Sequence, residues 1–452
     1  MDNAKISPTQ NKISLILLFF SLFVCAFWAP NSREIFVFPC FLAAILAFLP
    51  AAFGKSGTGA FEKRIALCAL YTAAVCVVQY FNCYAEFEIA DGYFLLNNLP
   101  HIAFLPKSVK TPAESVNALS SLCKLTTVFL TVLSLYCICK RRGNSLYVLN
   151  FAAFCGVLCA AYGIVEKHFA FDWLYGIFAA KSDFYANSFV ANVSGAFINL
   201  GLGFCFCLLI YHAKRRHIFC SLLFLLASAV CVFGAYKSES FGAMGFAALN
   251  CAAFVFIALY VFLRRAMNMA AATFIVAMCG LGAAFLGYNE VAHRLSGEGA
   301  KPKRMQLSSS FSSRLQFHKL DIALICENPL WGVGGECCKY ALPIKAKKEL
   351  INVGGAKISV PERAHSDILE YFIEFGFLGL LGIFGGWLAY AILLFGNLKN
   401  LKAENYMLLA SAGLCAMHCS VDIAMHFLPV MVFFAVALML AATSLSRGGK
   451  NA

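Results

Sequence analysis

Two side chains stand where chemistry can be done, Arg314 and His365. Arg314 follows Ser312-Ser313, and Leu315, His318, Ile322 and Ile325 then recur at helical spacing until Asn328-Pro329 stops the pattern. Either serine suits the N-cap, so Arg314 falls in the first turn. A guanidinium there offers a planar fork that grips phosphate oxygens at two points. His365 precedes Ser366, the expected N-cap of another helix. The positive end of a helix disfavours imidazolium, so the ring is expected neutral and able to take a proton near pH 7, as a general base must. On the residues alone, a base and an ordinary polar loop histidine fit equally well. Both side chains belong to a polar stretch running from Tyr288 to Ser366. Between Glu290 and Arg363 it carries twelve Lys and Arg against seven Asp and Glu. Such an excess beside a membrane suits an anionic ligand.

The elements that must hold these residues are membrane helices. The chain is 61% hydrophobic and 13% charged, against about 25% charged in a soluble protein, and its mean hydropathy is +0.75. Windows of ~20 apolar residues give about twelve spans: Ile13–Pro30, Ile35–Phe53, Ile65–Ala85, Leu119–Cys139, Leu146–Val165, Ser188–Tyr211, Ile218–Tyr236, Phe241–Leu263, Ala270–Leu286, Phe375–Phe395, Met407–Val421 and Phe427–Leu445. The reading is an all-α polytopic membrane protein in three parts: scaffold spans over 1–289, a large loop with short helices over 290–365, and three more spans over 366–452. One continuous helix from Asp367 to Phe395 would be ~45 Å long, more than a ~30 Å hydrocarbon core, so its first turns with Asp367, Glu370 and Glu374 should project beyond the membrane.

Alternate loops differ in Lys and Arg content, and this sets the orientation. One set, including both termini, holds 17 cations against three acids, Asp2, Glu62 and Glu404. The short loops of the other set hold Arg33, Lys107, Lys110, Lys167, Lys181 and Lys237. Both termini are therefore expected in the cytoplasm and the 290–365 loop outside. The net charge of +13 is mostly this topological signal and calls for no nucleic acid. Outside the cytoplasm nucleotides are poor candidates for the anion, and lipid-linked phosphate or pyrophosphate is the one at hand.

The remaining outer segments are less telling. Glu86–Ala118, with Pro100, Pro106 and Pro112, is expected to be irregular or a short interfacial helix. In Glu166–Asn187, Trp173 and Tyr175 fit an aromatic belt; Lys181 suits either a substrate phosphate or a snorkelling surface position. Asp422 and His426 in the last outer turn fit a cavity lining or an interfacial pair. Gly332-Val333-Gly334-Gly335 lacks the lysine and hydroxyl of a phosphate loop and is expected to be a turn. The 21 cysteines lie mostly in spans; Cys326, Cys337 and Cys338 are outer, and either of the adjacent two could pair with Cys326.

The order Arg314-Leu315, Asn328-Pro329-Leu330-Trp331-Gly332-Val333-Gly334, His365-Ser366-Asp367-Ile368-Leu369, then Glu374-Phe375-Gly376-Phe377-Leu378-Gly379 resembles the O-antigen ligase and polymerase family. The resemblance is specific over 310–385 and weaker over 184–250 and 415–445. It implies a GT-C type integral-membrane glycosyltransferase of the bacterial inner membrane. Such an enzyme moves a glycan from undecaprenyl pyrophosphate to an acceptor at the periplasmic face, with inversion and without metal, cofactor or nucleotide sugar. It further implies His365 as base and Arg314 as the pyrophosphate clamp. The family's outer turn after the seventh span usually carries Ser-Arg, where this chain has Ser238-Glu239. Lys237, Arg294 or Arg363 is then the candidate second cation, with Lys181 beside them. Lipid A-core oligosaccharide is the leading acceptor, since no large outer C-terminal domain is present; a repeat-unit polymerase and a protein O-oligosaccharyltransferase are the alternatives. A transporter or flippase is the reading from another class, and the near absence of charges within the spans speaks against it.

Overall fold

The computed structural model describes residues 8–28, 34–52, 59–90, 93–110, 117–140, 143–169, 173–174, 178–179, 186–188, 190–263, 318–350 and 363–443. The chain is an all-α polytopic membrane protein, with eight described helices long and apolar enough to cross a bilayer. In chain order α1 (Pro8–Phe27), α2 (Glu34–Ala52), α3 (Ala60–Phe81), α4 (Asn117–Cys139), α5 (Asn144–Phe169), α6 (Ala191–Lys214), α7 (Ile218–Lys237) and α8 (Phe241–Leu263) follow the expected spans. Helices Leu381–Asn397, Ala403–Ser420 and Leu428–Ala442 close the chain. Of the twelve expected spans, Ala270–Leu286 lies outside the described residues. Phe36–Pro50 and Leu428–Ala442 are apolar but shorter than a full crossing.

The central helix is α6, whose apolar window is 94% buried. Apolar side chains alone cannot drive helices together in lipid, so close packing of small residues must contribute. Gly156 of α5 lies against Gly201 of α6, where any Cβ would strike the opposing backbone. Gly195 of α6 likewise sits against Ala243 of α8.

Two expectations are corrected at the end of the bundle that carries the loops. The segment after α3 is a sheet, not an irregular loop or helix, and α3 itself ends at Phe81 rather than Ala85. Strand β1 (Cys83–Ala90) pairs antiparallel with β2 (Tyr93–Asn98) and parallel with β3 (Ser108–Lys110). The reason is period two: Ala85 is buried and Phe87 packs against Tyr340 at 4.6 Å, while Glu88 alternates outward. Ala90 faces Tyr93, so only Asp91-Gly92 links the strands, a pair suited to a two-residue hairpin.

The second correction concerns the long helix, which is two helices. Asp367–Gly379 contains Gly376 at φ 59°, ψ −174°, and Leu381–Asn397 follows it. A straight helix would pair the Phe377 and Leu378 amides with the Ile373 and Glu374 carbonyls. Instead Phe377 and Leu378 donate to Pro329 and Leu330 at 2.8 and 2.9 Å, and the two freed carbonyls accept from Val333 and Gly334 at 2.8 and 2.9 Å. The Asn328–Gly334 turn is thus laced into the break and every opened backbone group is satisfied. Gly332 (φ 68°) lies against Glu374 and Gly376 against Leu330, both in left-handed backbone that a Cβ would strain. Beneath this lacing Val109, Leu320, Leu324, Val333, Leu342 and Ile373 form a small buried core of their own.

Candidate functional site

Segments distant in sequence meet at this end of the bundle around a buried ion network. Lys124 of α4 bonds the Glu336 carboxylate and donates to the His426 carbonyl at 2.9 Å. Arg363 divides its fork, Nη1 to Glu370 Oε1 at 2.7 Å and Nη2 to Glu336 Oε2 at 3.2 Å. The His426 ring bridges Asp367 Oδ1 through Nδ1 and Glu374 Oε2 through Nε2, both at 3.2 Å. Lys124, Glu336, Asp367, Glu370, Glu374 and His426 are all buried. Charges are removed from water at this cost only when they are paired and hydrogen-bonded.

The neighbours set the protonation of each group. Burial opposes ionisation of Glu336, but the charges of Lys124, Arg363 and His426 outweigh it and hold this carboxyl well below the usual carboxylate range. Burial likewise opposes a charged His426; Glu370 and Glu374 overcome it and raise the imidazole to about 10. Asp367 is pushed up to about 6 by burial, against the pull of His426. Burial also raises Glu374. Three cations, Lys124, Arg363 and His426, thus face four carboxyl groups, Glu336, Asp367, Glu370 and Glu374. Asp321, buried on the 318–327 helix and 3.1 Å from His318, is raised to about 8 by burial and then by Glu370.

His365 lies between two anchored neighbours. On one side is Arg363, held as above, and the Ala364 amide donates to Glu370 Oε2 at 3.2 Å. On the other, the Asp367 amide donates to the Asp422 carbonyl at 3.2 Å, and Asp367 Oδ2 accepts from the Met425 amide at 2.6 Å. His365 itself is half-buried with φ 52°, a left-handed conformation that costs a non-glycine residue about 1–2 kcal/mol. Ser366 is the N-cap position, as expected, but its side chain makes no capping bond. The helix start is therefore held by Asp367 and Asp422 instead.

Next to this segment lies an apolar cavity of about 450 Å³, with Asp367 and Tyr371 among the residues that line it. Leu125, Phe129, Ile383, Phe384, Trp387, Tyr390 and Met439 continue its wall between α4 and the last helices. Tyr371 is tied to the network's edge, its hydroxyl donating to the Met425 carbonyl at 3.4 Å and its ring lying 4.7 Å from His426.

The other expected site residues fall in different places. Arg314, Arg294 and Lys181 lie outside the described residues. Lys237 ends α7, half-buried and 5.4 Å from the Phe233 ring. Beside it Glu239 is exposed, with φ 56°, and pairs with Lys167 at 3.0 Å. That turn packs near Gly195 of α6, one helical turn from Asn192, which bonds Asp422 at 2.6 Å. Arg363 is brought to His365, with both arms of its fork taken by carboxylates. Glu370, Glu374 and His426 also gather ligand-type atoms within 4.8 Å. Those same atoms serve Arg363 and each other, so the arrangement is an ion network. Cys326, Cys337 and Cys338 are thiols, Cys337 accepting from the Val109 amide at 3.4 Å.

Lys124 and Glu336 were not singled out by sequence. Lys124 had a signal, the one Lys or Arg inside the twelve expected spans, and such a residue is costly unless it has a partner. Glu336 had none. Residues 240–384 match the family model described as O-antigen ligase. The matched stretch contains Glu336, Arg363, His365, Glu370 and Glu374, begins after Lys237 and ends before Asp422 and His426. No curated protein matches the chain.

Proposed function

We propose, from the match of residues 240–384 to the O-antigen ligase family model, that this chain is a member of that family and transfers a glycan from undecaprenyl pyrophosphate to lipid A-core oligosaccharide at the outer face of the bacterial inner membrane. In this reading the acceptor hydroxyl gives its proton to His365 while its oxygen attacks the anomeric carbon. The bond from that carbon to the pyrophosphate oxygen breaks, and undecaprenyl pyrophosphate leaves with the electron pair. One direct displacement inverts the configuration at carbon. Arg314 is the proposed clamp on the pyrophosphate, with Lys237, Arg294 and Lys181 as further cations; both termini are cytoplasmic.

The observation that carries the proposal is that His365, strained and half-buried, is two residues along the chain from Asp367, which lines an apolar cavity. A lipid-borne substrate needs a dry slot for its hydrocarbon beside a polar place for its headgroup, and strained backbone concentrates at functional sites. The cavity suits the prenyl chain.

The test is transfer by the purified full-length protein in detergent, from undecaprenyl-pyrophosphate-linked glycan to lipid A-core. His365→Ala should abolish transfer with expression unchanged; near-normal activity removes His365 as the base. Arg314→Lys should also fail, because a point charge loses the forked contact. In cells, a deletion strain should accumulate finished polymer on the lipid carrier. Lipopolysaccharide capped with single repeats would instead identify a polymerase, and loss of glycosylated protein alone a protein O-oligosaccharyltransferase.

A further inference from the structure

We infer that Arg363, clamped by Glu370 and Glu336, is a positioning residue that together with the Asp367 anchor forces His365 into its working conformation, and is not a ligand of the pyrophosphate. The inference rests on the reading of His365 as the base. Its warrant is local. Five consecutive residues, 363 to 367, cross from the outer loop into a helix. Arg363 is fixed by two carboxylates, at 2.7 and 3.2 Å, and the Ala364 amide by the second oxygen of Glu370 at 3.2 Å. Asp367 is fixed by its amide on Asp422 and by its carboxylate on the Met425 amide and His426. A short chain pinned at both ends has few conformations left, and here the residue between the pins takes φ 52°.

Glu370 is the centre of this device. It is fully buried, and its two oxygens hold Arg363 and Ala364 at once. It lies one helical turn from Ser366, whose carbonyl accepts from the Glu370 amide at 3.0 Å. The near anchor and the helix start are therefore tied through one side chain. The far side of the clamp is Glu336, itself held by Lys124 from α4. A membrane helix, the outer loop and the last helical pair thus converge on the residues flanking His365. The single charge of Arg363 is already shared between two buried carboxylates, so a pyrophosphate drawn to it would bring further negative charge into a network whose cations are committed.

The test uses the full-length protein in detergent carrying Glu370→Gln or Arg363→Lys. Glutamine keeps the shape of Glu370 and an acceptor for Ala364 but loses the ion pair; lysine keeps the charge of Arg363 but cannot divide it. Misplacing a catalytic group by about 1 Å costs on the order of 100-fold, so each variant should lower kcat by about that factor and leave KM for undecaprenyl-pyrophosphate-linked glycan unchanged. A second readout needs no turnover: labelling with diethyl pyrocarbonate, followed at His365 by peptide mass spectrometry. Both variants should alter the labelling rate of His365 while exposed His101 labels as before. Unchanged His365 labelling in both variants would overturn the inference. So would an Arg363→Lys protein with raised donor KM and preserved kcat, which is the behaviour of a phosphate ligand. If His365→Ala proves active, the base assignment fails by itself, and the labelling still reports whether Arg363 and Glu370 set the histidine's conformation.

Discussion

At the scale of single residues, His365 holds backbone strain and His426 holds charge. Replacing His365 with Asn, whose short amide can hydrogen-bond locally in left-handed backbone, should recover part of the ~1–2 kcal/mol strain, raising thermal stability by up to about 1 kcal/mol, while removing transfer. Thermal unfolding in detergent checks this, and a variant less stable than the parent would show that the strain is not there. His426 makes a pH prediction. Its folded value, about 10, lies above the ordinary imidazole value of 6.5, so its contribution is complete below about 6.5 and is lost as pH rises through 10. Asp321, raised from 3.8 to about 8, loses its contribution over a lower window in the same direction. Stability should therefore fall between pH 7 and 9.5, and His426→Gln should flatten most of that fall; an equal fall in the variant would remove His426 as its source. Little of this was visible in order along the chain. His365 and Arg363 stand out beside a helix start, but a loop arginine looks the same whether it faces a phosphate or two buried glutamates. Only the fold brings Glu336 and Glu370 to it.

At the scale of elements, the decisive feature is the exchange of backbone hydrogen bonds between the Asn328–Gly334 turn and the break at Gly376. Gly376→Ala and Gly332→Ala each put a Cβ into opposing backbone at positive φ. The strain of about 1–2 kcal/mol adds to the loss of bonds worth about 1 kcal/mol each, so each variant should be about 3 kcal/mol less stable. Size-exclusion profiles and melting curves of the detergent-solubilised variants check this; wild-type behaviour of either would mean the two motifs are not interlocked. The sequence displayed both motifs, Asn-Pro-Leu-Trp-Gly-Val-Gly and Glu-Phe-Gly-Phe-Leu-Gly, as separate signals. Its apolar run carried straight through the second, since glycine within an apolar segment reads equally as small helix packing and as a break. The β1–β2 hairpin was missed: the prolines of the segment pointed to an irregular loop or a short helix, although residues 83–90 alternate and Asp91-Gly92 follows them.

At the scale of the whole molecule, the two ends of the bundle differ as the loop charges require. Glu62 and Glu404, two of the three acids in the cation-rich set, pair with Lys140 at 2.6 Å and Lys214 at 3.2 Å, while the sheet, the ion network and Asp422 gather at the opposite end. Cys326 is exposed at that opposite end, so in intact spheroplasts a membrane-impermeant maleimide should label it from outside, and Cys326→Ser should remove the signal. Labelling only after membrane lysis would place the site in the cytoplasm and end the proposed reaction. What the sequence by itself determined here is the membrane class, the positions of most helices and the family motifs, because hydropathy, charge asymmetry and short motifs are properties of neighbours along the chain. What only the tertiary structure decided is which charges neutralise one another, where the last long helix breaks and how His365 is held. Those depend on Lys124, Glu336, Arg363, Asp367 and His426 meeting across some three hundred residues, a range over which no local pattern carries information.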